Sequence, residues 1–169
     1  YRIPATGGAS QRLTSSPGIN IGGSFSPDGS KIVFESDRSG SQQIYVMNAD
    51  GSNQRRLAGG KPKDTCLRPV WSPDGQRIAY MVVPNGLSGN RHGPLEIWNV
   101  GLDGAAPIEL SNGVTDTLLA YPWNDPTWSP DGTRILFSSF SLRTGEIPRL
   151  YSVGLDGGAP QPVRPDLTE

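Results

Sequence analysis

Residues 22–57 read GGSFSPDGSKIVFESDRSGSQQIYVMNADGSNQRRL, and the reading of this stretch decides the fold. It opens on an aromatic residue and a turn sequence, Phe25-Ser26-Pro27-Asp28-Gly29, then runs into an apolar alternation at Ile32 and Phe34. Alternation with period two marks a strand with one buried face. Ser-Pro-Asp-Gly joins two such strands for a mechanical reason. Proline presets φ at the second turn position, aspartate suits the third, and glycine accepts the positive φ that returns the chain to the next strand. A second hairpin follows, with Tyr45, the turn Asp50-Gly51 and the closing Leu57. The stretch predicts four antiparallel strands, a to d, at 22–26, 31–36, 43–48 and 53–58.

The same units recur outward from it. The turn motif returns as Trp71-Ser72-Pro73-Asp74-Gly75 before Ile78 and Tyr80, and as Trp128-Ser129-Pro130-Asp131-Gly132 before Ile135 and Phe137. The c–d hairpin is present four times, led by Tyr1, Tyr45, Trp98 and Tyr151 at offsets of 44, 53 and 53 residues. Its turns are Thr6-Gly7, Asp50-Gly51, Asp103-Gly104 and Asp156-Gly157, and its closing aliphatics are Leu13, Leu57, Leu110 and Val163. Further strands are expected at 68–72, 77–83, 95–100 and 106–111, then at 125–129, 134–140, 149–153 and 161–164. Residues 1–5 and 10–14 supply a c–d pair alone. Four-stranded units at this period build a β-propeller; an ordinary sandwich with similar hairpins is the alternative. No window sustains a 3.6-residue period, and 22 Gly with 16 Pro disfavour long helices.

The expected fold class is therefore all-β, a propeller of four-stranded antiparallel blades. Blades are expected over 21–58, 68–111 and 125–165, after a half blade over 1–20. Closed propellers hold about 4–8 blades. The expectation is thus an arc with an apolar blade face at each end, completed by further residues of a longer protein or held against another chain.

Composition excludes several function classes. No run approaches the about 20 apolar residues of a membrane-spanning helix. A net charge of −1 leaves no electrostatic footprint for nucleic acid. The one cysteine, Cys66, has no internal disulfide partner and reads as a packed or loop thiol. The one histidine, His92, would have to serve any Ser-His-Asp arrangement, and no Gly-x-Ser-x-Gly elbow is present. Asp28, Asp74, Asp131, Asp50, Asp103 and Asp156 recur as turn residues capping their own backbone, which accounts for them without catalysis or metal binding. Asp37 and Arg38 are expected to pair within their turn. No cofactor and no metal site are expected, although a divalent cation in the propeller channel stays open.

The motif order (aromatic-Ser-Pro-Asp-Gly, Ile-x-Phe, Ser-Asp-Arg-x-Gly, Ile-Tyr-x-Met, Asp-Gly, Leu) resembles a blade of the TolB C-terminal β-propeller. Gly7-Gly8 and Gln11-Arg12-Leu13-Thr14 resemble the end of such a blade. Where the first blade has Ser36-Asp37-Arg38-Ser39-Gly40, the second has Val83-Pro84-Asn85 and the third Ser139-Phe140-Ser141. The resemblance implies a non-enzymatic module of the periplasm or cell exterior, because TolB serves the Tol–Pal envelope system. It also admits the propeller of a prolyl-oligopeptidase-like hydrolase whose catalytic domain lies outside these residues, and a structural subunit held permanently in a larger assembly.

Spacing points to one binding face. Asp28 to Ile32, Asp74 to Ile78 and Asp131 to Ile135 are all four residues apart, so all length variation falls in the b–c and d–a connections. In an antiparallel blade those connections share one side, and loops on a rigid scaffold collect binding residues. The richest are 84–94, with Asn85, Asn90, Arg91 and His92, and 112–124, with Asp116, Tyr121, Trp123 and Asn124; a shorter one spans 141–148. These residue types make protein contacts, and a protein partner, membrane-associated or in a multi-subunit envelope complex, is expected. Tyr121 and Trp123 also read as plugs between blades, and Arg91 and His92 as solvated loop tips.

Overall fold

The computed structural model describes residues 1–59, 61, 63–86, 96–103, 105–111, 126–139 and 149–163. Among the described residues, twelve strands form three antiparallel sheets. The first holds β1 (Asn20–Phe25), β2 (Lys31–Ser36), β3 (Gln43–Asn48) and β4 (Arg55–Ala58). The second holds β5 (Thr65–Trp71), β6 (Arg77–Val83), β7 (Glu96–Gly101) and β8 (Ile108–Glu109). The third holds β9 (Thr127–Trp128), β10 (Arg134–Ser139), β11 (Arg149–Gly154) and β12 (Gln161–Pro162). Within each sheet the strands lie in sequence order. The fold is all-β, three stacked four-stranded blades of a partial propeller. Among the described residues no helix is long and apolar enough to cross a membrane.

The core lies between sheets. Val33, Ile44 and Val46 of the first sheet pack against Ile78, Tyr80, Val82 and Val100 of the second. Ala79, Met81, Val83 and Ile97, from the opposite face of that second sheet, pack against Trp128, Ile135, Phe137 and Val153 of the third. Burying one such aliphatic side chain stabilises by about 1.5–3 kcal/mol. The expectation of one buried face is corrected here for the b strands. β2 is buried from Ile32 onward and β6 from Ile78 onward, on both faces. β6 meets a sheet on each side, whereas in β2 Val33 faces the second sheet and Ile32 and Phe34 pack with Tyr45, Met47 and Leu13 on the other face.

Two inner strands start earlier than their sequence suggests, at Asn20 and Thr65, because each contains a bulge. The register of β1 with β2 shifts between Ile21 and Ser24, and that of β5 with β6 between Leu67 and Val70. Cys66 is accordingly a fully buried strand residue, not part of a loop. Residues 1–14 form less than a hairpin: a single bridge joins Arg2 to Gln11, and Leu13 packs on the outer face of the first sheet.

Candidate functional site

The sheets present two unlike ends. One carries the a–b and c–d turns, which are closed on themselves. Ser26 Oγ donates to Asp28 Oδ1 at 2.6 Å and accepts from the Lys31 amide at 2.9 Å, while Asp28 Oδ1 also takes the Ser30 amide at 3.0 Å. The pattern repeats at Ser72, Asp74 and Arg77, and at Ser129, Asp131 and Arg134. These serine hydroxyls, followed by turn amides, hold Asp28 and Asp131 down to about 2 and lower Asp74. Gly29, Gly75 and Gly132 all take positive φ. Adjacent turns nest, with Pro27 against Gly75 and Pro73 against Gly132. Asp50 and Asp103 cap Ser52 and Ala105, and Asp156 caps Gly158 at 3.3 Å. Gly51 and Gly157 occupy the left-handed region; Gly104 lies outside the described residues.

The other end carries the b–c and d–a connections, and here the described stems are tied to one another. Asp64, in the connection from β4 to β5, accepts the Lys61 amide at 2.7 Å and the Asn85 amide at 2.9 Å through its two carboxylate oxygens. Its carbonyl accepts from Gln43 Nε2 at 2.9 Å, and Gln43 Oε1 accepts from Arg56. Asn85 is exposed, with φ +61, and Gly86 lies close to the Lys63 carbonyl. On the far side of the same opening, the Leu110 amide donates to Ile97 O at 2.7 Å and the Ile97 amide to Ser111 Oγ at 3.1 Å. The stems of the connections after β6 and β8 therefore leave side by side. Nearby, burial first and the Glu96 charge second push the Glu109 carboxyl upward.

Of the sequence-derived contact residues, Asn85 alone is among those described. Asn90, Arg91, His92, Asp116, Tyr121, Trp123 and Asn124 lie outside the described residues. Asp37 and Arg38 do not pair as expected. Asp37 Oδ1 accepts the Ile19 amide at 2.7 Å, whereas Arg38 reaches Asn20, Ser36 and Gln54 and lies 4.7 Å from the Tyr45 ring centroid. An amide donor in the facing chain satisfies the aspartate, and the ring face draws the guanidinium away.

Sequence reasoning missed Arg68. It occupies the bulge of β5, three residues before Trp71, as Gly22 does before Phe25. Both residues have left-handed backbone, φ +57 and +66, and Arg68 is exposed on the inner-edge strand of its sheet. The buried Glu35 carboxylate accepts the Arg68 amide at 2.9 Å, and a Cβ at Gly22 would meet that carboxylate at the same distance. The signal was the residue three before each aromatic, where glycine in one copy marks a demanding backbone.

Stacked four-stranded sheets with inner-edge strands that neighbour one another define this molecule as an arc of a β-propeller with one turn-closed rim and one loop-bearing rim. The TolB beta propeller domain family matches residues 1–117, and the chain belongs to that family. An uncharacterized protein of Agrobacterium fabrum is 27% identical over 164 residues, 94% of this chain and 50% of that protein. The Tol-Pal system protein TolB of Bordetella pertussis is 48% identical over 54 residues, 31% of this chain and 12% of that protein. A solved structure from Agrobacterium tumefaciens matches with a TM-score of 0.64 and 26% identity, over 95% of this chain and 54% of that one. The chain thus spans half, or less, of the curated relatives it resembles.

Proposed function

We propose that this chain is a non-catalytic binding and scaffolding module that docks a protein partner through the loops of its loop-bearing rim. The supporting observation is the tie between neighbouring loop stems, Asn85 amide to Asp64 carboxylate at 2.9 Å, beside the Ile97–Ser111 bond. A fixed stem lowers the entropy lost when a loop engages a partner. The contact set is Asn85, Asn90, Arg91 and His92 with Asp116, Tyr121, Trp123 and Asn124. Membership of the TolB beta propeller domain family, and a relative named as a Tol-Pal system protein, support an envelope complex as the partner and a periplasmic or extracellular location. Cross-linking in the source cell, followed by affinity purification, tests the reading. Replacing 84–94 by an Asp-Gly turn is expected to abolish capture of the cross-linked partner while lowering the melting temperature by no more than loss of the Asn85–Asp64 tie does. Undiminished capture overturns it.

A further inference from the structure

Charge is unevenly distributed along this chain. Five of its 15 lysines and arginines, Arg55, Arg56, Lys61, Lys63 and Arg68, fall within residues 55–68, where Asp64 is the sole acidic residue. The chain as a whole has a net charge of −1. The fold then sorts these cations. Arg55 Nη2 donates to the Leu102 carbonyl at 2.7 Å, in the c–d turn of the second sheet, which places it at the turn-closed rim. Arg56 donates to Gln43 Oε1 at 2.9 Å, at the start of β3, which places its guanidinium at the loop-bearing rim. Lys61 and Lys63 reach the same rim in the connection from β4 to β5, and all three residues are exposed. Arg68 extends the strip to the inner-edge strand.

Neutral and buried groups hold the strip in place. Asp64 is 7% exposed, and its two carboxylate oxygens take the Lys61 and Asn85 amides, so its charge is turned inward. The Asp64 amide closes a turn onto the Lys61 carbonyl at 2.9 Å. Gln43 joins the Asp64 carbonyl to the Arg56 guanidinium. A Cβ at Gly59 would collide with that guanidinium, so glycine there leaves it room. Glu35, which holds the Arg68 amide, is also buried. A backbone fixed beneath its charged side chains loses less entropy on binding. Acidic residues border the strip on the side of the second sheet. They are Glu96 on β7, Glu109 on β8, and Asp116 and Asp125 in the connection from β8 to β9, which contains no lysine or arginine.

We infer that Arg56, Lys61 and Lys63 form the docking strip for an acidic protein segment, a short run of aspartate or glutamate on the partner. The inference rests on the loop-bearing rim being the docking face. Opposite charge steers the encounter, and like charge at the border limits where the segment can lie. An extended polyanion, whether a nucleic acid or an anionic lipid surface, would press on the bordering carboxylates as well. A short acidic segment fits within the strip.

The probe is hexaglutamate, blocked at both ends and titrated into the isotope-labelled chain at about 0.01 M ionic strength, where the screening length is about 30 Å. The Lys61, Lys63 and Asp64 amides are expected to shift saturably, and the shifts should recede as salt reaches about 0.1 M and that length falls to about 10 Å. Lys61→Gln combined with Lys63→Gln, both at exposed positions, should weaken binding about tenfold, the order of two exposed ion pairs. Arg55→Gln removes a charge from the other rim and should change the affinity by less than about twofold. Absence of shifts at millimolar hexaglutamate overturns the inference. So does an equal loss in the Arg55 variant, or tighter binding of oligothymidylate or of phosphatidylglycerol vesicles. The cross-linking assay separates this inference from the docking reading beneath it. Capture lost when 84–94 is replaced but kept by the double lysine variant refutes the strip alone, whereas capture kept by both refutes the docking face itself.

Discussion

The Asp-Gly turn of the first blade supports a prediction that separates backbone strain from contact. Gly29 and Gly51 both hold positive φ, +72 and +91. A Cβ at Gly29 would meet nothing within 4 Å, whereas one at Gly51 would stand 2.9 Å from Leu13 O and 3.3 Å from Leu13 Cα. Left-handed backbone costs an alanine about 1–2 kcal/mol. A stiffer unfolded chain offsets about 0.4–1 kcal/mol of that. Gly29→Ala should therefore destabilise by about 1 kcal/mol. Gly51→Ala adds a methyl group where backbone must move, a further cost of about 1–3 kcal/mol. At about 2–4 °C per kcal/mol for a domain of this size, the first variant should melt about 3 °C lower and the second about 6–12 °C lower. Gly157, where the new Cβ would lie 3.2 Å from Glu109 O, should fall between them. Urea unfolding at constant m-value gives the free energies directly. Equal losses at 29 and 51, or a greater loss at 29, would refute the claim that the Asp-Gly turns are fitted against the preceding unit.

Three further outcomes are expected. Trp71→Phe removes the indole donor to Ser24 O and should cost about 1 kcal/mol by urea unfolding, and an unchanged midpoint would deny that bond a role. Asp64→Ala leaves the Lys61 and Asn85 amides without their acceptor and should cost about 1–3 kcal/mol, with faster hydrogen exchange at Asn85; an unaltered rate there would mean the stem is not held by Asp64. The lowered carboxyls of Asp28, Asp74 and Asp131 contribute stability that is full above their ordinary 3.8 and lost as pH falls toward 2. Replacing Ser26, Ser72 and Ser129 by alanine should flatten that acid limb of an unfolding-midpoint-against-pH curve, and an identical slope would count against the hydroxyls as the cause. Glu109 has the opposite sign, its contribution present below its ordinary 4.5 and fading as pH rises, so the acid limb belongs to the turns.

How much was legible varied with position in the blade. β2, β3 and β6 start and stop at the residues the alternation marks, because these middle strands pair on both edges and pack on both faces. The d strands β8 and β12 are two residues long where the pattern promised more, and they lie at the outer edge of their sheets with largely exposed residues. The inner strands β1 and β5 began earlier than expected because a bulge breaks the period on which the reading depended. For the candidate site, the shared end of the loops followed from strand parity, and the stems of the connections after β6 and β8 leave together. The ties that hold them did not follow, because Asp64 and Asn85 are 21 residues apart and meet only once the bulged β5–β6 hairpin between them has closed.

The repeat by itself determined the class of fold, the hairpin turns and the end of each sheet from which insertions emerge. These are local consequences of side-chain period, of proline and glycine dihedrals and of chain direction, each written within a few residues. Only the tertiary structure decided that Arg38 leaves Asp37 for the Tyr45 ring, that Glu35 is buried to hold the Arg68 amide, and that Phe25 stays half-exposed where Trp71 and Trp128 are covered by a preceding sheet. Those outcomes depend on which neighbouring strand or sheet comes within hydrogen-bond or van der Waals reach, and stacking sets that distance.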